Sequence, residues 1–141
     1  MDHSHIVTRF DKDLSEIESL LVEMADLVAK QISDSALALQ LGDNQLAKAV
    51  TKNDSKINRL EEKIDDKAIR LIALRQPMAE DLRSAITTLK VSNCLERMGD
   101  YAKTLSYRAR KVDDFSAMKS ILRSITETSE KIINMLNVVM E

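Results

Sequence analysis

Residues 10–28 read FDKDLSEIESLLVEMADLV, and the apolar positions in that run decide the fold. Phe10, Leu14, Ile17, Leu21, Met24 and Val28 step by four and three, the spacing of one face of an α-helix packing along a seam. Leu20 and Leu27 widen the stripe, as expected of a helix that touches two neighbours. The pattern predicts a first helix from Ile6 to Leu41. Gly42 follows where a left-handed residue favours helix termination, and Asp43 can cap what comes next.

Outward from that run the same period repeats. A second helix is predicted from Asn44 to Arg75 with Leu46, Val50, Ile57, Leu60, Ile64, Ala68 and Leu71 inward. Pro77 suits the first turn of a third helix, where its missing N–H is harmless, and Glu80 and Asp81 favour that positive end. The third helix runs to about Arg110. A fourth segment carries Met118, Leu122, Ile125, Ser129, Ile132, Leu136 and Val139 as its stripe. Short links make neighbours antiparallel, so the expected fold is all-α, an elongated antiparallel three-helix bundle with a fourth helix. That last apolar stripe is still running at Val138, Val139 and Met140. The pattern points to a self-association surface or to a longer parent protein.

Composition narrows the function classes. Two glycines and one proline in 141 residues leave too few breakers for a β-sandwich, a barrel or a doubly wound α/β fold. Four aromatic residues and a net charge of −2 argue against nucleic acid as a partner. The single Cys94 excludes a disulfide framework and reads as a packing thiol in a reducing compartment. The N-terminal run lacks the pattern of a secretory signal, and no apolar run reaches the ~18–20 residues of a membrane span. The expected location is cytoplasmic, peripheral to the inner face of the membrane if it docks there. Met24, Met98 and Met135 read as core filler.

The chemistry-bearing residues are acids on two helices. At about 100° per residue, Asp54, Asn58, Glu61 and Asp65 share one azimuth on the second helix, a quarter turn from its core stripe. On the third helix Leu82, Ile86 and Leu89 share an azimuth that Asn93, Glu96 and Asp100 continue. Val91, Leu95, Met98, Ala102 and Leu105 lie roughly opposite, which predicts a change of buried face near residue 90.

Folding the chain at Gln76–Pro77 puts Asn58 level with Cys94, each 18 residues from Gln76. Asp54, Asn58 and Glu61 then lie beside Asn93, Glu96 and Asp100, with Asp65 nearer Ile86. Asp54, Asn58, Glu61, Glu96 and Asp100 are therefore the candidate metal ligands. Their oxygens suit Mg, Mn, Fe or Zn, and a cation would relieve the repulsion of the i,i+4 acid pairs. The plainer alternative is a solvated acidic face balanced by Lys63, Lys67, Arg97 and Lys103.

Other motifs are absent. His3 and His5 are the only histidines, so Glu-x-x-His di-metal ligation cannot be built. His3 offers at most a terminal copper or nickel site on a mobile tail. No phosphate-binding glycine loop or Ser–His–Asp set is present, so no catalytic residues are assigned. Arg70, Arg75 and Arg83 cluster around the Gln76–Pro77 turn, either as an anchor or as a solvated basic end.

The segments IRLIALRQPMAEDLR (residues 69–83) and LERMGDYA (residues 95–102) resemble the PhoU phosphate-signalling family, and NDSKINRLE (residues 53–61) is similar to that family's second helix. The resemblance runs from about residue 6 to residue 112. Family members are built from two tandem three-helix repeats. By this resemblance residues 1–112 form one complete repeat. Residues 113–141 match the first helix of an incomplete second repeat, packing on the same bundle or on a partner chain.

The resemblance also implies acid-x-x-x-acid motifs that hold metal clusters in some members. Here Glu96 and Asp100 keep the third-helix motif. Asp54 and Asn58 occupy the second-helix motif with an amide in place of one carboxylate, and Asn93 stands where many members place an aspartate. The function it implies is regulatory and not catalytic, a non-enzyme adaptor between a phosphate ABC transporter and a sensor histidine kinase that represses the starvation response. The homodimer is expected from the unfinished apolar face of the fourth segment. The alternatives are a carboxylate-rich metal-binding bundle for storage or hydrolysis, and a dimerising fragment.

Overall fold

The computed structural model describes residues 3–141, with side chains from Arg9 onward, so His3 and His5 fall outside the described side chains. Four helices follow one another: α1 (His3–Leu41), α2 (Asn44–Arg75), α3 (Ala79–Ala109) and α4 (Lys119–Met140), the last preceded by a 3-10 turn at Ser116–Met118. At 1.5 Å per residue α1 is about 60 Å long. Helices α1, α2 and α3 pack on one another pairwise, whereas α4 packs along α1. Neighbours run antiparallel, as the pairs Gln31–Asp54 and Glu16–Lys67 show for α1 and α2.

The first link is the one the sequence predicts. Gly42 has φ +65° and Asp43 Oδ1 accepts from the backbone N–H groups of Gln45 and Leu46, which satisfies two orphan donors of α2. The second link differs. Pro77 is not in the first turn of α3; it lies in a short link between Gln76, left-handed at φ 46°, and Met78, extended at φ −115°. A proline disfavours the right-handed helical conformation of the residue before it, so α2 ends at Arg75, and the extended Met78 defers α3 to Ala79.

The core is centred on Ile17, Met24, Val28, Ile57, Ile64 and Leu95, all sealed from solvent. A smaller cluster of Leu39, Ala109 and Leu122, with Phe115 and Met118 against it, fastens the start of α4 to the far end of α1. The buried face of α3 is where expectation fails. No change of face occurs near residue 90. One continuous seam runs Ala85, Thr88, Ser92, Leu95, Gly99, Ala102, Ser106, Ala109, alternating steps of three and four. Seven of these eight residues are small or polar, so a count of large apolar side chains misses the seam. Ile86 is exposed and Leu89 only half-buried. On α2, Ala47 and not Leu46 is sealed in the core, for the same reason.

The α4 stripe is also rotated from expectation. Leu122, Ser129 and Leu136 are buried, and Ile133 and Met140 pack against the main core, but Ile132 and Val139 face outward. They line an apolar groove with Val91, Cys94 and Met98 of α3, about 420 Å³ in volume. Cys94 and Met135 stand exposed on this groove, so neither fills the core as expected. Among the described residues, no helix is long and apolar enough to cross a membrane.

Candidate functional site

The α2–α3 flank brings the acids of the two helices together, about one turn out of the expected register. Asn93 donates to Glu61 Oε1 at 3.5 Å, Ser92 contacts Asp65 at 3.4 Å, and Lys103 reaches Asp54 at 2.7 Å. Asp65 thus lies beside Ser92 and not near Ile86. The helices pivot about the link around Pro77 and not at Gln76 itself, which shifts every level by a few residues.

Asp54 does not flank the core; it belongs to it. It continues the stripe Ala47, Val50, Asp54, Ile57 and is 2% exposed. Burying a carboxylate demands compensation. Oδ1 accepts from Gln31 Nε2 at 2.9 Å and Oδ2 accepts from Lys103 Nζ at 2.7 Å. Gln31, itself buried on α1, also donates to the Gly99 carbonyl at 3.1 Å, so one amide ties α1, α2 and α3 together. Gln31 was not read from the sequence as part of a site. Its signal is a polar residue three positions after Val28 in the α1 stripe. Lys103 also contacts Asp100 at 3.4 Å. Hydrogen bonding to Asp54 holds its ammonium above the usual lysine range, outweighing the opposing cost of partial burial.

Glu61, Glu96 and Asp100 lie further out. Burial pushes the Glu61 carboxyl up, against the lowering hydrogen bond from Asn93, and the charges of Asp65, Glu62 and Asp100 add to the rise. Burial also raises Glu96, followed by repulsion from Asp100, Glu61 and Asp54. Asn58 Oδ1 is sealed from solvent without a hydrogen-bond partner.

These donors can be tested against the cation that the resemblance implies. Both Asp54 oxygens are engaged, one by an amide and one by an ammonium. Among the described residues, no three His, Cys, Asp or Glu side chains group closely enough to hold a metal ion. The arrangement in this structure does not fit a resident divalent ion, because Lys103 stands where its charge would.

The basic end of the α2–α3 hairpin is divided. Arg75 is committed to Asp13 through Nε at 3.2 Å and Nη2 at 3.0 Å, and Lys67 pairs with Glu16 at 2.9 Å. Arg70 borders the same depression as these pairs, while Arg83 does not line it.

Fold and flank together define an all-helical bundle with an acidic row between two neighbouring helices, whose buried member Asp54 is paired within the chain with Lys103. The PhoU domain profile matches residues 21–109, and the chain belongs to that family. A phosphate-specific transport system accessory protein PhoU homolog from Caulobacter vibrioides (strain NA1000 / CB15N) is 39% identical over 121 residues, 86% of this chain and 53% of the relative. The homolog of the same name from Rhizobium meliloti (strain 1021) is 33% identical over 141 residues, all of this chain and 60% of the relative. The crystal structure of PhoU from Pseudomonas aeruginosa superposes with a TM-score of 0.81 at 31% identity, over 91% of this chain and 61% of that one. The chain spans between about half and three-fifths of the length of these relatives.

Proposed function

We propose that this chain is a regulatory adaptor of phosphate uptake and phosphate-starvation signalling, linking a phosphate ABC transporter to a sensor histidine kinase and repressing the starvation response. The observation that carries this reading is the kinship: relatives named as accessory proteins of the phosphate-specific transport system align over 86% to 100% of this chain. The physics of the bundle agrees with an adaptor. Long packed helices offer extended surfaces whose backbone is already ordered on folding, so binding a partner costs less conformational entropy than ordering a loose segment would. Its work is binding and not catalysis, at the cytoplasmic face of the membrane. Deleting the gene is expected to derepress phosphate-scavenging genes while phosphate is abundant. Repression that stays intact in the deletion strain defeats the proposal.

The adaptor acts as a homodimer. What supports this is the bare groove: α4 turns Ile132, Met135 and Val139 outward beside Val91 and Met98 of α3. No charged residue interrupts that strip of α4, and contiguous exposed apolar surface marks an interaction site. A second copy supplies the same apolar strip about a twofold axis, a self-complementary match. Light scattering of the 141-residue chain is expected to give twice the monomer mass at micromolar concentration; a strict monomer at all concentrations rejects the dimer.

A further inference from the structure

We propose that the Lys103 ammonium is the resident counter-cation of the α2–α3 carboxylate row, so that this chain holds the row together without a divalent metal ion. The geometry is that of an occupied cation position. Nζ lies 2.7 Å from Asp54 Oδ2 and 3.4 Å from Asp100 Oδ1, bridging one acid of each helix. A carboxylate as buried as Asp54 has to be paired, and here the pairing is complete: Gln31 takes one oxygen and Lys103 the other.

Two neighbouring positions lower the demand for positive charge. Asn58 and Asn93 lie within the row as neutral amides, and Asn93 spends its amide on Glu61. One ammonium then supplies the counter-charge of the row's buried acid, Asp54, and also contacts Asp100. Lys103 is also well placed to stay: it follows Asp100 by three residues, a helical neighbour within reach of its ammonium. A metal ion entering the row has to displace a tethered competitor whose local concentration never falls.

The experiment compares the wild-type chain with Lys103→Met and with the double variant Lys103→Met/Asp54→Asn. Each is dialysed, assayed for bound metal by mass spectrometry, and melted with and without 1 mM MnCl2. The wild-type chain is expected to carry far less than one equivalent of metal and to melt at the same temperature with and without Mn²⁺. Lys103→Met leaves a buried charge unpaired and is expected to melt about 5 °C or more below wild type. Added Mn²⁺ should recover part of that loss. The double variant removes the unpaired charge, so it should melt above Lys103→Met and show no response to Mn²⁺. Near-stoichiometric metal in the dialysed wild type overturns the proposal, and so does a wild-type melting temperature raised by Mn²⁺. Should Lys103→Met not fold, the wild-type measurements and the double variant still decide.

Discussion

Ile64→Ala is expected to destabilise the chain by about 3 kcal/mol, within the range of roughly 2–5 kcal/mol measured when a buried isoleucine is cut to alanine. Ile64 is fully sealed and belongs to the cluster joining α1, α2 and α3. The loss has two parts: the transfer free energy of the deleted methyl and methylene groups, and the contacts forfeited around the cavity they leave. Helices of this length cannot close in without disturbing the seams on either side, so little of the cavity should collapse. Single domains are stable by only about 5–15 kcal/mol, so the effect is a large fraction of the whole. Melting should fall by about 10 °C, since 1 kcal/mol corresponds to roughly 2–4 °C at this size. Ile69→Ala is the control. Ile69 is 57% exposed near the hairpin end, where substitutions usually stay within about 0.5 kcal/mol. Equal shifts for the two variants would refute the assignment of Ile64 to the core.

The same contrast between large and small residues explains what was legible in the sequence. The α1 and α2 stripes are written in leucine, isoleucine, valine and methionine, and their period can be read without coordinates. Gly42 and Asp43 announce the first link because a left-handed residue and a capping carboxylate are local requirements. The inner face of α3 is written in alanine, serine, threonine and glycine, residues common on exposed faces too. Only the partner helix reveals that they are inside. Asp54 hides for the opposite reason: its side chain looks like surface, and its burial depends on Gln31 and Lys103, 23 positions before it and 49 after it. The pattern therefore assigns the acids to the right pair of helices, about one turn out in level, and misses only the depth of Asp54. The pairing of Asp54 with Lys103 is a long-range fact. Rotation of α4 was illegible because its apolar arc is wide enough to serve two seams, and only one is filled, by α1.

Gly99→Val should be as damaging as the core truncation, by the reverse mechanism. Gly99 lies in the small-residue seam where α3 meets α2, and a Cβ built there would stand 3.0 Å from Ile57 Cδ1 and 3.5 Å from its Cγ2. One added carbon is already tighter than ordinary contact. Valine adds two more, on a branched side chain whose rotamer a helix restricts to one main choice, so it cannot turn away. The helices have to separate, and overpacking of this kind costs about 1–3 kcal/mol or more. Separation also strains the bond from Gln31 to the Gly99 carbonyl, and the same amide holds buried Asp54. The penalty should therefore exceed the steric term alone, giving about 3 kcal/mol in total, read as a lower denaturant midpoint. Gly99→Ala isolates the two contributions. Alanine gains about 1 kcal/mol of helix propensity over glycine, and its single methyl needs Ile57 to move by only a few tenths of an ångström. Near-neutral stability is expected for alanine. A valine variant as stable as wild type would mean that α2 and α3 do not approach closely at Gly99, and the spacing that brings Lys103 to Asp54 would lose its basis.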